Sequence, residues 1–343
     1  MTDSAMHPFA ATLLRWYDAH GRDLPWRATS DPYAIWLSEV ILQQTRIEQG
    51  RPYWERFMQR FPTVHDLAAA SEDEVLRLWQ GLGYYSRARN LHAAARQVAQ
   101  MGEFPSTLDG IKALKGVGDY TAAAIASMAF GIPAAVVDGN VYRVLARHYG
   151  IVTPINTSKG KREFTLLAQE LLPPTHAAAF NQAMMDFGAT WCTPKSPRCT
   201  FCPLAGSCQS LHDGTVEKLP VKLKKLQVKT RKFHYVYVRC KGYAALHRRP
   251  AGDIWQGLWE PLLVEGDTER LMQAVTSMGG TLTPLRNGVK HVLTHRIIMA
   301  DFYRLDCDTR PALPADYRWI PEHELDHYAI PRLVERLMAL VER

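Results

Sequence analysis

Cys192, Cys199, Cys202 and Cys208 are spaced C-x6-C-x2-C-x5-C. Four thiolates this close in sequence can wrap one metal centre, and soft sulfur selects an iron–sulfur cluster or zinc. Pro194, Pro197 and Pro203 keep the intervening chain irregular, which lets four side chains turn inward. Four ordinary buried thiols are the plainer alternative. Cys240 and Cys307 have no partners nearby in sequence and read as core thiols. A secreted disulfide framework would spread its cysteines more widely, so a reducing, cytoplasmic setting is expected.

Two carboxylates could share acid–base work. Glu39 lies in Ile35-Trp36-Leu37-Ser38-Glu39-Val40-Ile41-Leu42-Gln43-Gln44-Thr45, with Trp36, Val40 and Leu42 as helical neighbours. A carboxylate in that company is poorly solvated, which raises its pKa and suits a general acid. On this segment alone a surface glutamate paired with Lys or Arg is the more ordinary reading. Asp138 follows the apolar Ala134-Ala135-Val136-Val137 and precedes Gly139-Asn140-Val141. It reads equally as a helix cap or as an anion poised against a developing cation.

Leu114-Lys115-Gly116-Val117-Gly118-Asp119-Tyr120-Thr121-Ala122 sits between two helical patterns. Glycines flanking one apolar residue make a tight hairpin plugged by Val117. The second helix then starts with free N–H groups, a cradle for a DNA phosphate. A simple helix–helix turn would look similar.

The elements that must position these groups are mostly helical from residue 8 to about 211. Helical periodicity recurs at 9–17, 35–43, 53–61, 73–79, 90–101, 121–130, 141–149, 162–172 and 180–187. Gly or Pro separates the segments, as at Pro62, Gly81, Gly83, Pro105, Gly131 and Pro154. The longest uncharged run, 121–137, is broken by Gly131 and Pro133 and falls short of a membrane span, so it reads as a buried core helix. No signal peptide is evident in residues 1–10.

From Glu217 to Lys232 the chain is basic, with Lys218, Lys222, Lys224, Lys225, Lys229, Arg231 and Lys232. This stretch reads as an exposed connector, either free in solvent or lying along a phosphate backbone. Strand-like residues follow at 233–238 and 297–305, with helical patterns at 268–277 and 333–341. Two domains suit 343 residues. A net charge of +7 suits a polyanionic partner.

Residues 114–122, the Val137-Asp138-Gly139-Asn140-Val141 segment and the cysteine spacing together resemble the endonuclease III group of DNA glycosylases, the helix-hairpin-helix superfamily. Residues 38–45 and Gly81-Leu82-Gly83-Tyr84-Tyr85-Ser86-Arg87-Ala88-Arg89-Asn90 look like its adenine-specific branch, the MutY family. The resemblance implies an α+β multidomain chain. It would have an all-α helix-hairpin-helix glycosylase domain over 1–212 with a [4Fe–4S] loop at 192–208, a basic linker over 213–232, and a small α+β Nudix-like domain over 233–343. It also implies base-excision repair of adenine mispaired with 8-oxoguanine or guanine in duplex DNA, by base flipping. Glu39 would be the general acid and Asp138 the oxocarbenium stabiliser or transient nucleophile, positioned by Tyr120 and Asn140. Gln44, Tyr84, Gly116 and Gly118 would contact DNA. Cys192, Cys199, Cys202 and Cys208 would hold the cluster, ordering a loop that carries Lys195 and Arg198 toward phosphates.

Bifunctional members place a Schiff-base lysine two positions after the second hairpin glycine. Tyr120 stands there, so a monofunctional enzyme without efficient lyase chemistry is expected. The last third resembles the family's Nudix-like domain through Gly257-Leu258-Trp259-Glu260-Pro261. It lacks an acidic REx2E-type helix, so no nucleotide hydrolysis is expected. A Phe-Ser-His loop reads the oxidised base in the family. Leu293-Thr294-His295 stands at the matching place, keeping a hydroxyl in Thr294 and the imidazole of His295 but losing the aromatic ring. A monomer is expected, with no membrane partner. The rival readings are a pyrimidine-directed glycosylase–lyase and a non-enzymatic iron–sulfur DNA-binding protein.

Overall fold

The architecture, taken from a computed structural model, is described for residues 6–223 and 229–341. Lys224 and Lys225 of the basic stretch lie outside the described residues. Chain contacts separate two compact units, one drawn from Met1–Ala68 and Ala93–Lys224, the other from Ala69–His92 and Lys225–Arg343.

The helices in chain order are α1 (Pro8–His20), α2 (Pro32–Leu42), α3 (Ile47–Arg60), α4 (Val64–Ala69), α5 (Glu72–Trp79), α6 (Ser86–Met101), α7 (Leu108–Lys112), α8 (Asp119–Phe130), α9 (Gly139–Tyr149), α10 (Ser158–Leu171), α11 (Ala177–Thr190) and α12 (Gln209–His212). Each of the nine periodic segments lies on one of them. The periodicity missed α4, α7 and α12, which are too short to show a repeating apolar face. In the first unit α1, α9, α10 and α11 share a core that includes Leu13, Trp16, Val144, Phe164, Phe180 and Phe187. Residues 121–127 of α8 are all buried, so the first part of the long uncharged run is core helix; α8 ends at Phe130, capped by Gly131, and residues 131–137 are not helical.

The second unit is built on a seven-stranded sheet: β1 (Lys229–Cys240), β2 (Tyr243–Arg248), β3 (Trp259–Glu260), β4 (Leu262–Glu265), β5 (Thr281–Val292), β6 (Arg296–Asp306) and β7 (Tyr317–Pro321). The main path runs β3-β2-β1-β6-β5, with β4 paired to β1 and β7 to β2. β1 and β6 are parallel and the other pairs antiparallel. The period of two along β1 serves two cores. Phe233, Tyr235 and Tyr237 pack with α14 (Arg332–Val341), whereas Val236, Val238 and Cys240 pack with α13 (Thr268–Thr276). Covering both faces explains why β1 reads as a nearly unbroken apolar run.

β1 begins at Lys229, inside the stretch expected to be connector. Arg231 is not solvated there but bonded to Asp253 and Glu265, each at 2.7 Å. Residues 69–92, helical by pattern, group with the C-terminal sheet. Among the described residues no helix is long and apolar enough to cross a membrane.

Candidate active site

Asp31 caps α2, its carboxylate accepting the Tyr33 N–H at 3.0 Å, and Pro32 supplies a preset first turn. Every residue from Tyr33 to Ile41 is buried, Glu39 among them at 8% exposure. The surface alternative for Glu39 is therefore set aside. Tyr120, in the first turn of α8, donates its hydroxyl to Glu39 Oε2 at 2.7 Å. Burial pushes the Glu39 carboxyl up to about 7. The Tyr120 bond opposes that shift, the Asp138 charge adds to it, and Arg27 also opposes it. Burial and the Glu39 charge hold the Tyr120 hydroxyl well above its usual pKa, so it remains a donor.

Asp138 does cap α9. Its Oδ1 accepts the Asn140 and Val141 N–H groups at 2.8 Å each, and its Oδ2 accepts Asn140 Nδ2 at 2.7 Å. Burial raises its pKa above the ordinary carboxylate value, and these bonds hold the shift back. Asn140 is fixed in turn by Arg143, whose Nη2 donates to Asn140 Oδ1 at 2.8 Å and to the Gly188 carbonyl at 2.6 Å. Arg143 Nε donates to the Cys192 carbonyl at 2.8 Å. A Cβ on Gly188 would lie 2.6 Å from Asn140 Cβ, so this approach of α11 to α9 requires glycine.

Glu39, Tyr120 and Asp138 line a common cavity of about 750 Å³, together with Gln43, Gln44, Gly116, Gly118 and Lys161. A second cavity of about 370 Å³ reaches the same three residues and is walled by Trp26, Arg27 and Met185. Arg27 is locked by fully buried Asp186 at 2.7 Å, which also takes Arg22. Sequence reasoning missed Trp26, Arg27, Lys161 and Asp186. Arg27 and Asp186 are 159 positions apart, and neither carries a motif.

The hairpin between α7 and α8 has Gly116 at φ 78°, a left-handed position, with Leu114 and Val117 buried beneath it. Gly118 caps α8 with no side-chain bond to the helix, and a Cβ there would meet open space. The free N–H groups of α8 are thus approachable along the glycine backbone. Lys112 pairs with Asp119 across the hairpin. Gln44 is exposed just after α2 with φ 57°.

In the second unit, Leu293, Thr294 and His295 form the turn between β5 and β6, with Thr294 and His295 exposed. Tyr84, at φ 48° and 45% exposed, lies with its hydroxyl oxygen 2.7 Å from Thr294 Oγ1. Beneath the turn, Arg296 donates to Asp253 at 2.7 Å.

The four clustered cysteines form no disulfide and line one pocket with Arg147, Trp191 and Leu211. Among the described residues no three metal-binding side chains are arranged to hold a single metal ion. Four soft sulfur donors around a shared pocket are the ligand type that an iron–sulfur cluster or zinc takes. Lys195 and Arg198 are exposed on this loop, and Arg198 stacks 5.3 Å from the Trp191 ring centre. Cys240 and Cys307 are buried in one apolar cluster, as core thiols should be.

Residues 37–174 match the HhH-GPD superfamily base excision DNA repair protein model, and residues 234–340 match the NUDIX domain model. The adenine DNA glycosylase of Mus musculus is 34% identical over 97% of this chain and 78% of its own. That of Buchnera aphidicola subsp. Schizaphis graminum is 33% identical over 74% of each. Among solved structures, a thermostable thymine-DNA glycosylase shares 32% identity, covering 60% of this chain and 95% of its own with a TM-score of 0.56. A trapped endonuclease III–DNA covalent intermediate shares the fold at 24% identity, covering 63% and 99%, with a TM-score of 0.54. The helical core, the buried carboxylates beside the glycine hairpin, and relatives that follow the chain into its Nudix-like sheet place this protein in the adenine DNA glycosylase family of base-excision repair proteins.

Proposed function

We propose that this protein is a monofunctional glycosylase that hydrolyses the N-glycosidic bond of adenine mispaired with 8-oxoguanine, or with guanine, in duplex DNA. The observation that carries this reading is the pairing of Glu39, buried and raised to about 7, with Asp138 on a single cavity. The adenine is extruded into that cavity. Glu39 gives its proton to the purine ring as the glycosidic bond breaks, and the bonding electron pair leaves with the base. Asp138, held by three N–H donors, faces the oxocarbenium ion and stabilises it or bonds to it transiently. Water then adds to the sugar and returns a proton to Glu39. Tyr120 holds the Glu39 carboxyl, and Asn140 holds Asp138.

The α8 N–H groups with Gly116 and Gly118 cradle a backbone phosphate. Gln44 and Tyr84 contact the opened stack, and Thr294 and His295 read the base opposite the adenine. Leu293 cannot stack as an aromatic ring would, which weakens preference for the oxidised base. The cysteine set fits a [4Fe–4S] cluster, which when bound supplies a rigid, one-electron-active centre around which the loop folds. Cys192, Cys199, Cys202 and Cys208 would hold it, and Lys195 and Arg198 on the same loop would then meet phosphates. The protein acts as a monomer in a reducing compartment.

The test is excision, with enzyme in excess, from a duplex carrying adenine opposite 8-oxoguanine, read before and after alkali. Strand cleavage only after alkali supports a glycosylase without lyase chemistry. Cleavage without alkali, or an adduct trapped by borohydride, refutes the monofunctional assignment. DNA binding with no cleavage under either condition refutes the enzymatic one.

A further inference from the structure

We propose that Arg147 tunes the redox potential of the cluster held by the cysteine loop, through a buried positive charge and an N–H aimed at a ligand sulfur. The inference rests on the iron–sulfur reading of that loop. Arg147 lies on α9, one turn beyond Arg143, and is 3% exposed. Its Nη1 donates to Cys192 Sγ at 3.4 Å and to the Thr193 carbonyl at 2.8 Å, and its Nη2 donates to the Pro194 carbonyl at 3.2 Å. Its Nε serves the Val216 and Leu219 carbonyls at 2.9 and 3.1 Å. The Cys208 thiol lies 3.6 Å from the Arg147 carbonyl oxygen.

These contacts have an electrostatic consequence. A buried guanidinium needs a counter-charge. The acceptors that hold Arg147 are neutral carbonyls, apart from the one sulfur. When the loop holds a cluster, the ligating sulfur of Cys192 is part of an anionic centre, and the N–H aimed at it sets the Arg147 charge beside that centre. Hydrogen bonds to cluster sulfurs and nearby net charge are principal determinants of the potential of such centres. A cation and an N–H donor favour the more negative, reduced member of the couple, so Arg147 raises the potential. The same side chain joins the chain just after the first cysteine of the loop, residues 193–194, to the chain after the last, residues 216–219. A bare clamp would also be satisfied by that arrangement, and the potential separates the two roles.

The experiment uses the full chain with its cluster as purified. Iron, sulfide and visible absorbance are measured first, then the one-electron potential by voltammetry, with the electrode exchanging the electron. Wild type is compared with Arg147→Met, Arg147→Lys and, as a surface-charge control on the same loop, Arg198→Met. A lower potential in Arg147→Met, an intermediate value in Arg147→Lys and a near-wild-type value in Arg198→Met are expected. Loss of iron with an unchanged potential in the loaded fraction overturns the proposal and leaves a clamp. So does an equal shift in Arg198→Met. Should Arg147→Met not fold, Arg147→Gln, which removes the charge, decides, and a wild-type potential there overturns the proposal. Wild-type protein without iron and sulfide refutes the cluster reading itself, an outcome distinct from a cluster whose potential ignores Arg147.

Discussion

The hydroxyl oxygens of Tyr84 and Thr294 lie 2.7 Å apart, joining residues separated by 210 positions. One belongs to the glycine-flanked turn before α6 and the other to the β5–β6 turn. Both were expected at DNA, but nothing in the sequence couples them. The bond gives Tyr84, held in a left-handed conformation, a partner on the turn proposed to read the opposite base. Tyr84→Phe is expected to lower the preference for 8-oxoguanine over guanine roughly two- to tenfold, the value of one hydrogen bond. Single-turnover excision on both mispairs measures it. Thr294→Val should match it, and the double variant should lose little more. Additive losses would mean that the two residues act separately.

The raised Glu39 pKa makes two pH predictions. As general acid, Glu39 must be protonated, so excision falls as pH rises through about 7. An acid limb follows from protonation of Asp138 at a pKa above the usual carboxylate value. A pH–rate profile flat from 6 to 9 would sink the assignment. For stability, the folded pKa of about 7 exceeds the reference of 4.5, so the folded chain binds the extra proton between these values. The Glu39 contribution is complete below about 4.5 and is lost as pH rises through about 7. Glu39→Gln should abolish excision, keep DNA binding, and above pH 7 unfold at higher denaturant than wild type, by up to about 3 kcal/mol.

Tyr120→Phe separates holding from acidity. It removes the one hydrogen bond that lowers the Glu39 pKa. The alkaline limb should therefore move upward in the variant, while the rate at its optimum falls through looser placement of the acid. A limb that stays where it is in wild type would show that Tyr120 does not set the Glu39 proton affinity.

What was legible in the sequence follows physical locality. The helices around the site announce themselves because each carries its own period, cap and stop, as α8 does with Gly118 before it and Gly131 after it. Asp138 could be placed at the start of α9 because a cap is a local object. The ambiguity over Glu39 was global. Whether α2 buries one face or all faces depends on what surrounds it, and here every residue from Tyr33 to Ile41 is covered. The Arg22–Asp186–Arg27 lock and the grouping of residues 69–92 with the C-terminal sheet are long-range pairings without a local pattern. The basic stretch misled for the same reason: Arg231 looks like a solvated charge until Asp253 and Glu265 are brought beside it.

Arg143 connects Asp138, through Asn140, to the backbone of Cys192. Arg143→Met should therefore let Asn140 and Asp138 drift. A misplacement near 1 Å costs about a hundredfold in rate. The expected outcome is a large loss of single-turnover rate with DNA affinity changed far less. Equal losses of both would instead indicate general disorder of the helical unit.

The buried pair Arg249–Glu260 supports the stability of the C-terminal sheet. Arg249 Nη1 donates to both Glu260 oxygens at 2.6 and 2.8 Å, and Tyr235 donates to Oε2 at 2.8 Å. The two charged side chains are 4% and 2% exposed. Removing one partner leaves the other charge stranded in the interior, at a cost of roughly 3–5 kcal/mol. Arg249→Met should cost that much in the unfolding of the sheet unit, followed by denaturant and tryptophan fluorescence. Arg249→Met combined with Glu260→Gln should recover much of that cost. If the single change costs under about 1 kcal/mol, the apolar packing of β1 against α13 and α14 holds the unit, and the ion pair only sets the geometry of β3 against β2.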